Sequence, residues 1–519
     1  MTAPREIELK LECDGLDLSV LAAHPLLQVA QASEPRILQA TYYDTADRDL
    51  GGAGLSLRLR REGERWVQTL KAAPSGGIGL FDRSEWEREI DGPSLDRAAL
   101  AGTPAEAILD GRDLAGLTPL FRTVVERTTR PIRYGASAIS ATLDAGRVES
   151  DLGDAPLCEL ELELEDGTPA DLFALAQALA ETVPLRLGAL SKGERGDALV
   201  GGRLYRPSKA EKLALAPEAT TGEAFARIAH ACLRHMRLNE AVFVHNRDPE
   251  ALHQLRVALR RLRSAFTLFK PMLGGDATAQ RLRAELKRVT EPFGTARNLD
   301  VFLGETLSAE IERRPDEPGL HELRDRLGAQ RITAYEAVTA ILQSPAWRGL
   351  VIDLVTWIEA GPWRSERGVP RRDEPARDFA AWALDRMRRR IKRRGRHLAR
   401  LEPDARHEVR IEAKKLRYGA EFFGTLFTGK KAPKRHKAFG AALSDLQDHL
   451  GAMNDLATAH AIAAGLAEAR GGSGEPPVSG AALFAAGLTA ADNEAGSAKL
   501  LAKAEQAHED LLEVRPFWR

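Results

Sequence analysis

Two stretches of this chain place a carboxylate at every second residue. In Glu6-Ile7-Glu8-Leu9-Lys10-Leu11-Glu12 the charged residues take one parity and the apolar residues the other. Cys158-Glu159-Leu160-Glu161-Leu162-Glu163-Leu164-Glu165 repeats the arrangement far downstream. Alternate side chains of a β-strand point to opposite faces, so each stretch predicts a strand with one acidic and one apolar face. Two like charges 4 Å apart repel by roughly 4 kcal/mol at an effective dielectric of about 20. Glu6 and Glu8 facing Glu161 and Glu163 across a closed barrel would therefore require cations. Hard divalent ions such as Mg2+ or Mn2+ take oxygen ligands and keep positions open for phosphate. The same half of the chain offers Arg58 and Arg60 on one strand face, then Lys71, Arg83/Glu85/Glu87, Arg127 and Lys192. Pointing into one lumen, these would grip a metal-chelated polyphosphate from all sides. An antiparallel sheet with one solvated face produces the same alternation, and on spacing alone it is the simpler reading.

The elements that must position these residues are short strands joined by tight turns. Strands are expected over 6–12, 36–45, 55–62, 66–72, 80–90, 121–134, 138–149 and 157–165, with turns at Glu62-Gly63-Glu64, Ser75-Gly76-Gly77 and Asp166-Gly167. Helices are expected near 16–27, 95–109 and 169–181, and a shorter one from Ser191. This pattern predicts an antiparallel sheet, either open or closed into a barrel. Gly-Gly, Arg-Pro-Ser-Lys and Ala-Pro between 201 and 217 read as a linker, and everything beyond it has helical periodicity. Breaks at Arg247–Pro249, Gly274-Gly275, Pro315–Gly319, Gly361-Pro362, Glu402-Pro403 and Gly471–Pro477 divide it into eight or nine helices. The fold class is α+β and multidomain: residues 1–205 as an eight-stranded antiparallel barrel with flanking helices, 206–218 as linker, and 219–519 as an all-α domain.

The totals exclude several classes. With 44% hydrophobic and 29% charged residues the composition is that of a globular protein, and no apolar run reaches membrane-spanning length. The first strand begins almost at Met1, which predicts no signal peptide. Three scattered cysteines make neither a disulfide framework nor a thiolate metal site, so a cytoplasmic location is expected. The formal charge of −1 conceals an asymmetry. Residues 1–210 carry 24 Lys and Arg against 34 Asp and Glu, and residues 211–519 carry 50 against 41. An acidic half suits metal ions and a basic half suits polyanions. There is no Walker loop, no His-Glu-x-x-His and no Ser/His/Asp set, and Ser75–Gly79 reads as a hairpin tip.

The helical half contains an internal repeat. His253, Arg256, Arg260 and Arg263 fall at spacings 0, 3, 7 and 10, and His407, Arg410, Lys414 and Arg417 repeat that spacing. Each stripe lies along one helical face. Downstream, Pro292-Phe293-Gly294-Thr295-Ala296-Arg297-Asn298-Leu299-Asp300 is matched by His449-Leu450-Gly451-Ala452-Met453-Asn454-Asp455. Two copies of a helix-plus-helix unit predict two pseudo-equivalent bundles. The stripes either meet anions or pair with acidic residues such as Asp300 and Asp455. Arg386–Arg400 lacks any such spacing and reads as a solvated helix face. Aromatic residues do not interleave with the stripes as base-stacking platforms would, which disfavours nucleic acid.

Glu6-x-Glu8-x-Lys10 resembles the signature of the CYTH superfamily, the triphosphate tunnel metalloenzymes. The likeness extends through Tyr42-Tyr43-Asp44-Thr45, Arg58-Leu59-Arg60, Thr69-Leu70-Lys71, Arg83-x-Glu85-x-Glu87, Phe121–Arg127, Leu143-Asp144-x-Gly146, Glu159–Glu163 and Ser191–Gly196. The repeated stripes resemble the CHAD domain, which is often fused behind CYTH. The resemblance implies an eight-stranded tunnel that hydrolyses inorganic triphosphate with Mg2+ or Mn2+. It makes Glu6, Glu8, Glu161 and Glu163 metal ligands or water-activating bases, with Glu6, Glu8 and Lys10 catalytic. Lys10, Arg58, Arg60, Lys71, Arg127 and Lys192 would hold phosphate oxygens, with Glu85 and Glu87 beside them. It further implies that the helical stripes bind long-chain inorganic polyphosphate, with association to polyphosphate granules. The alternatives are a non-catalytic polyphosphate-binding or granule-targeting protein, and a phosphohydrolase of nucleoside, thiamine or RNA triphosphates. No membrane partner is expected.

Overall fold

The computed structural model describes residues 5–28, 32–73, 77–468, 478–494 and 497–519; the side chains of 454–456, 458–460, 462–468 and 490–494 are outside the description. Nine strands form a single antiparallel sheet: β1 Arg5–Glu12, β2 Arg36–Asp44, β3 Leu55–Glu62, β4 Arg65–Ala72, β5 Leu80–Ile90, β6 Thr118–Tyr134, β7 Ser137–Ser150, β8 Gly153–Asp166 and β9 Arg186–Leu187. Their order is β5-β4-β3-β2-β6-β7-β8-β1-β9, and β5 also pairs with β1, which closes an eight-stranded barrel. Only the two-residue β9, hydrogen-bonded to Leu11 and Glu12 of β1, escapes the expected strand set, being too short for periodicity to register.

Alternation explains the barrel. Leu9 and Leu11 of β1 and Leu160 and Leu162 of β8 are fully buried on the outer face, under covering elements. The β3–β4 turn runs through Gly63 at φ 65°, a conformation that favours glycine. On the inner face the apolar residues Leu38, Ala40, Tyr42, Phe121, Val125, Val148 and Leu157 form one cluster, and Leu199 and Val200 of the helix Lys192–Val200 pack against it. That helix approaches so closely that a Cβ on Gly196 would lie 2.1 Å from the Phe121 ring. Its N-terminus carries a capping box between Ser191 and Glu194, which aims Lys192 into the barrel interior.

The helices of the remaining chain begin as the breaks predict, at Pro249, Pro318 and Pro403, with Asp248 capping the first. They outnumber the expected eight or nine. Short turns before Pro292 and at Ser344-Pro345 separate helices that apolar periodicity runs together. The Arg-rich stretch is also divided: Ala376–Arg394 ends at Gly395, and His397 takes a left-handed φ of 58° before a turn at Leu398–Arg400. The break at 471–477 lies outside the described residues, as do Ser75 and Gly76.

Two compact units result. One comprises 1–208, 237–246 and 342–364; the other comprises 209–236, 247–341 and 365–519. In the second unit Phe269 stacks on Phe379 at 4.8 Å, with Phe225 and Phe423 against the same ring. Residues 201–219 hold no helix or strand, yet Leu213 and Leu215 are buried and the Leu215 amide donates to Thr425 Oγ1. That stretch is packed chain, not a bare spacer.

Candidate functional site: a charged bore and a basic helical cluster

Strand register decides which charged side chains meet. In the β1–β8 ladder Glu8 lies opposite Glu163, Lys10 opposite Glu161 and Glu12 opposite Glu159. Glu8 and Glu163 are therefore lateral neighbours on adjacent strands, whereas the sequence alone had them facing across the bore. β1 also pairs with β5, where Glu6 lies opposite Arg83 and Glu8 opposite Phe81. The interior charges sort into two groups.

The deeper group centres on Asp144, Glu159 and Glu161, whose carboxylate oxygens lie within 4.8 Å of one another. Three cations sit among them. Lys10 Nζ donates to Glu159 at 2.8 Å and also to Glu161. Lys192 Nζ contacts Asp144 at 2.7 Å and Glu161 at 2.8 Å, and pairs with Glu159. Arg127 donates to Asp144 through Nε at 2.8 Å and to Glu161 through Nη2 at 2.9 Å. Lys10 is 1% exposed and Asp144 fully buried, so these charges persist only because they are paired. Burial alone would raise the Glu161 carboxyl; Lys10, Lys192 and Arg127 hold it well below the ordinary carboxylate value.

The outer group contains Glu6, Glu8, Glu85, Glu87 and Glu163. Lys71 Nζ lies 2.9 Å from Glu6 and 2.8 Å from Glu85. Arg58 is 3.7 Å from Glu85, and Arg60 is 2.6 Å from Glu62 and 3.4 Å from Glu87. The buried Tyr42 lies opposite Arg58 in the β2–β3 ladder. Arg83 Nε donates to Glu6 at 3.1 Å and its Nη2 to Glu8 at 2.8 Å. Glu163 stands at the solvent-facing rim, and among the described residues no cation or donor reaches it. Partial burial, followed by the Glu6 and Glu8 carboxylates, pushes its carboxyl up to about 7.

Glu6, Glu8, Glu161 and Glu163 thus belong to two neighbouring groups. Among the described residues Asp144, Glu159 and Glu161 are the trio whose carboxylate oxygens come within 4.8 Å of one another; Glu6, Glu8 and Glu163 form a second, looser set whose donor type, all carboxylate, suits a hard divalent cation. Lys10, Arg58, Arg60, Lys71, Arg127 and Lys192 all point into the same interior. Asp144 and Glu159 escaped the sequence-based site, and Arg83, named for the lumen beside Glu85 and Glu87, had no partner assigned to it. Strand parity placed each on the inner face, but only the β1–β5 and β7–β8 registers reveal what each one meets. Arg122, of opposite parity to Arg127, pairs with Glu149 on the outside.

In the helical region the two stripes converge. Arg256 donates to the carbonyls of Phe293 and Gly294 at 2.9 and 2.7 Å, and its charge is felt by Arg260, Arg297 and Arg410. Burial, then those three guanidiniums, lower Arg256 to about 10. Burial and the charges of Arg297, Arg260 and Arg256 likewise depress His253 below the usual histidine value. Asp300 does not neutralise the stripe: it accepts from Tyr335 at 2.7 Å and from Arg331 at 2.6 Å, with Arg297 at 4.0 Å. Arg256, Arg260 and Arg263 make no ion pair among the described residues, and Arg260 Nε is buried without a hydrogen-bond partner among them. Arg263 is lowered by burial and by Arg283. Arg417 is 3.5 Å from Glu421; Arg410 and Lys414 are half-buried, and His407 is exposed. The Asn454 and Asp455 side chains lie outside the described residues.

A closed antiparallel tunnel with a charged bore, followed by helices carrying paired basic stripes, defines a two-domain protein built around ionic interiors. Residues 4–196 match the CYTH domain and residues 227–464 match the CHAD domain. The chain thus carries a CYTH domain followed by a CHAD domain. It is 30% identical over 198 residues to the inorganic triphosphatase of Haemophilus influenzae, a match covering 37% of this chain and 54% of that protein. The chain thus spans about half the length of that curated relative. The crystal structure of the CHAD domain from the plant Ricinus communis is 29% identical, with a TM-score of 0.51, and covers 60% of this chain and 97% of that one. Among the described residues no helix is long and apolar enough to cross a membrane.

Proposed function

We propose that the tunnel hydrolyses inorganic triphosphate to diphosphate and phosphate with a divalent cation, Mg2+ or Mn2+, and that the helical domain holds long-chain inorganic polyphosphate. The observation that carries the first part is the convergence of Lys10, Arg58, Arg60, Lys71, Arg127 and Lys192 on one lumen beside Glu6, Glu8 and Glu163. The likeness to a relative named inorganic triphosphatase supports the choice of substrate. Bound at Glu6, Glu8 and Glu163, the divalent cation would neutralise phosphate charge and make a water molecule more acidic. Arg58, Arg60 and Lys71 then take the outer phosphate oxygens, and Lys10, Lys192 and Arg127 the inner ones, exchanging carboxylate partners for phosphate. A free carboxylate oxygen of this set accepts the proton of the attacking water as its oxygen bonds to the terminal phosphorus. The bond from that phosphorus to the bridging oxygen breaks, and diphosphate leaves. Positioning and charge neutralisation account for most of such a rate.

For the second part, the support is a cluster of His253, Arg256, Arg260, Arg297 and Arg410 with few carboxylates to balance it. A flexible polyanion offers acceptors in turn to such a line of forks and point charges. A cytoplasmic protein associated with polyphosphate granules follows from this reading. The test is a phosphate-release panel on the full chain with tripolyphosphate, thiamine triphosphate, ATP and long polyphosphate, with Mg2+, Mn2+ or chelator. Release from tripolyphosphate that is abolished by chelator is the expected result. No release from it, or release indifferent to chelator, overturns the proposal.

A further inference from the structure

Arg83 occupies an unusual place. Its position opposite Glu6 is set by the β1–β5 ladder, the seam that closes the barrel. From there one guanidinium reaches Glu6 through Nε and Glu8 through Nη2, at 3.1 and 2.8 Å. Only 9% of the residue is exposed, and the Phe81 ring lies beneath the guanidinium, 5.4 Å from it. Lys71 adds a second cation to Glu6, but Arg83 is the only cation that an ion pair brings to Glu8 among the described residues. A divalent cation and this fork would draw on the same carboxylate oxygens.

We propose that Arg83 is a resident cation that competes with the metal for Glu6 and Glu8, and that it yields when the substrate's phosphate accepts its guanidinium. The proposal rests on the reading of Glu6, Glu8 and Glu163 as the metal site. It makes Arg83 a positioning residue that couples two binding events. With the bore empty of phosphate, metal entry must strip two charge-assisted hydrogen bonds from Arg83, so metal binds weakly. With a phosphate anion present the guanidinium exchanges two carboxylate acceptors for phosphate oxygens, and metal binds tightly. Phe81 and Glu85 flank Arg83 along the same face of β5, so the exchange moves Arg83 along the bore toward Glu85, the next carboxylate whose charge it already feels. The coupling is reciprocal: metal must tighten phosphate binding by the same factor.

The experiment titrates full-length protein with Mn2+ and reads free Mn2+ by electron paramagnetic resonance, with and without inorganic phosphate. Four proteins are compared: the native chain, Arg83→Gln, Arg83→Lys and Glu8→Gln. Native protein should bind Mn2+ more tightly when phosphate is present. Deleting a unit charge about 4 Å from the site should tighten Mn2+ binding about tenfold or more without phosphate, and should remove most of the phosphate effect. Arg83→Lys keeps the charge but reaches one carboxylate at a time, so it should fall between the two, and it carries the test if Arg83→Gln does not fold. Mn2+ affinity unchanged or weakened in both Arg83 variants, with Glu8→Gln unable to bind, overturns the competition while leaving the metal site standing. Undiminished Mn2+ binding by Glu8→Gln overturns the metal site itself.

Discussion

The two ionic interiors of this protein are built on opposite principles. In the bore each of Lys10, Arg58, Arg60, Lys71, Arg83, Arg127 and Lys192 lies within 4.0 Å of a carboxylate. In the helical cluster Arg256 turns to backbone carbonyls, and Arg260 and Arg263 have no acidic partner among the described residues. A balanced interior can be buried, since every cation brings its own compensation. An unbalanced one must stay half-open, and Arg256 pays with a depressed pKa of about 10. The balanced bore suits a ligand that arrives with its own cation, whereas the unbalanced face suits a bare polyanion. Loss of one charge should therefore abolish chemistry in the bore and merely weaken binding on the helices.

The largest expected effect falls on the bore. Glu8→Gln removes a charge from the carboxylates proposed to hold the divalent cation while preserving shape, and should cost about 4 kcal/mol of transition-state stabilisation, roughly a thousandfold in phosphate release. Far-ultraviolet circular dichroism should be unchanged. Retained activity would break the contrast at its catalytic end. On the helices, Arg256→Ala with Arg410→Ala removes a charge from each stripe. At about 1.5–3 kcal/mol per charge-assisted hydrogen bond, polyphosphate binding should weaken by at least tenfold. Anisotropy of a labelled long-chain polyphosphate measures this, and unchanged affinity would separate the stripes from the ligand. A smaller effect sharpens the comparison. Raising ionic strength from about 0.05 to about 0.5 M, which shortens the Debye length about threefold, should weaken polyphosphate binding steeply but raise the tripolyphosphate KM only modestly. Equal slopes in the two assays would mean that the interiors do not differ in charge balance.

How far these interiors were legible in the sequence follows from the same contrast. The period of two in β1 and β8 showed which face of each strand is charged, because a one-residue shift would have exposed Leu9, Leu11, Leu160 and Leu162, whereas closure into a tunnel was legible through the family resemblance and not through spacing. What spacing could not give was pairing. That Glu6 meets Arg83, or that Asp144 and Glu159 share Lys192, depends on registers between strands more than 30 residues apart in some cases and adjacent in others. The stripes were visible as spacing within single helices, yet their convergence at Arg256 and Arg410 arises from tertiary packing. Helix number was underread because Pro292 and Pro345 begin new helices inside unbroken apolar periodicity.

The smallest predicted effect concerns protons. His253 is held below its ordinary value of 6.5 by burial and by Arg297, Arg260 and Arg256, and only Glu250 opposes them. A base whose folded pKa is depressed favours folding while neutral, and that contribution fades as pH falls through the unfolded value. A bound polyanion reverses the balance: it screens the three guanidiniums and favours the imidazolium. Polyphosphate binding should therefore take up protons and tighten about two- to threefold as pH falls from about 8 toward about 5.5. Calorimetry in two buffers of different ionisation enthalpy reads the proton uptake directly. His253→Gln should reduce it. Phosphate release from tripolyphosphate should not follow His253→Gln at any pH, since His253 lies in the helical region and none of the bore's charged contacts involves it. A pH shift of tripolyphosphate turnover in that variant would count against separate roles for the two interiors.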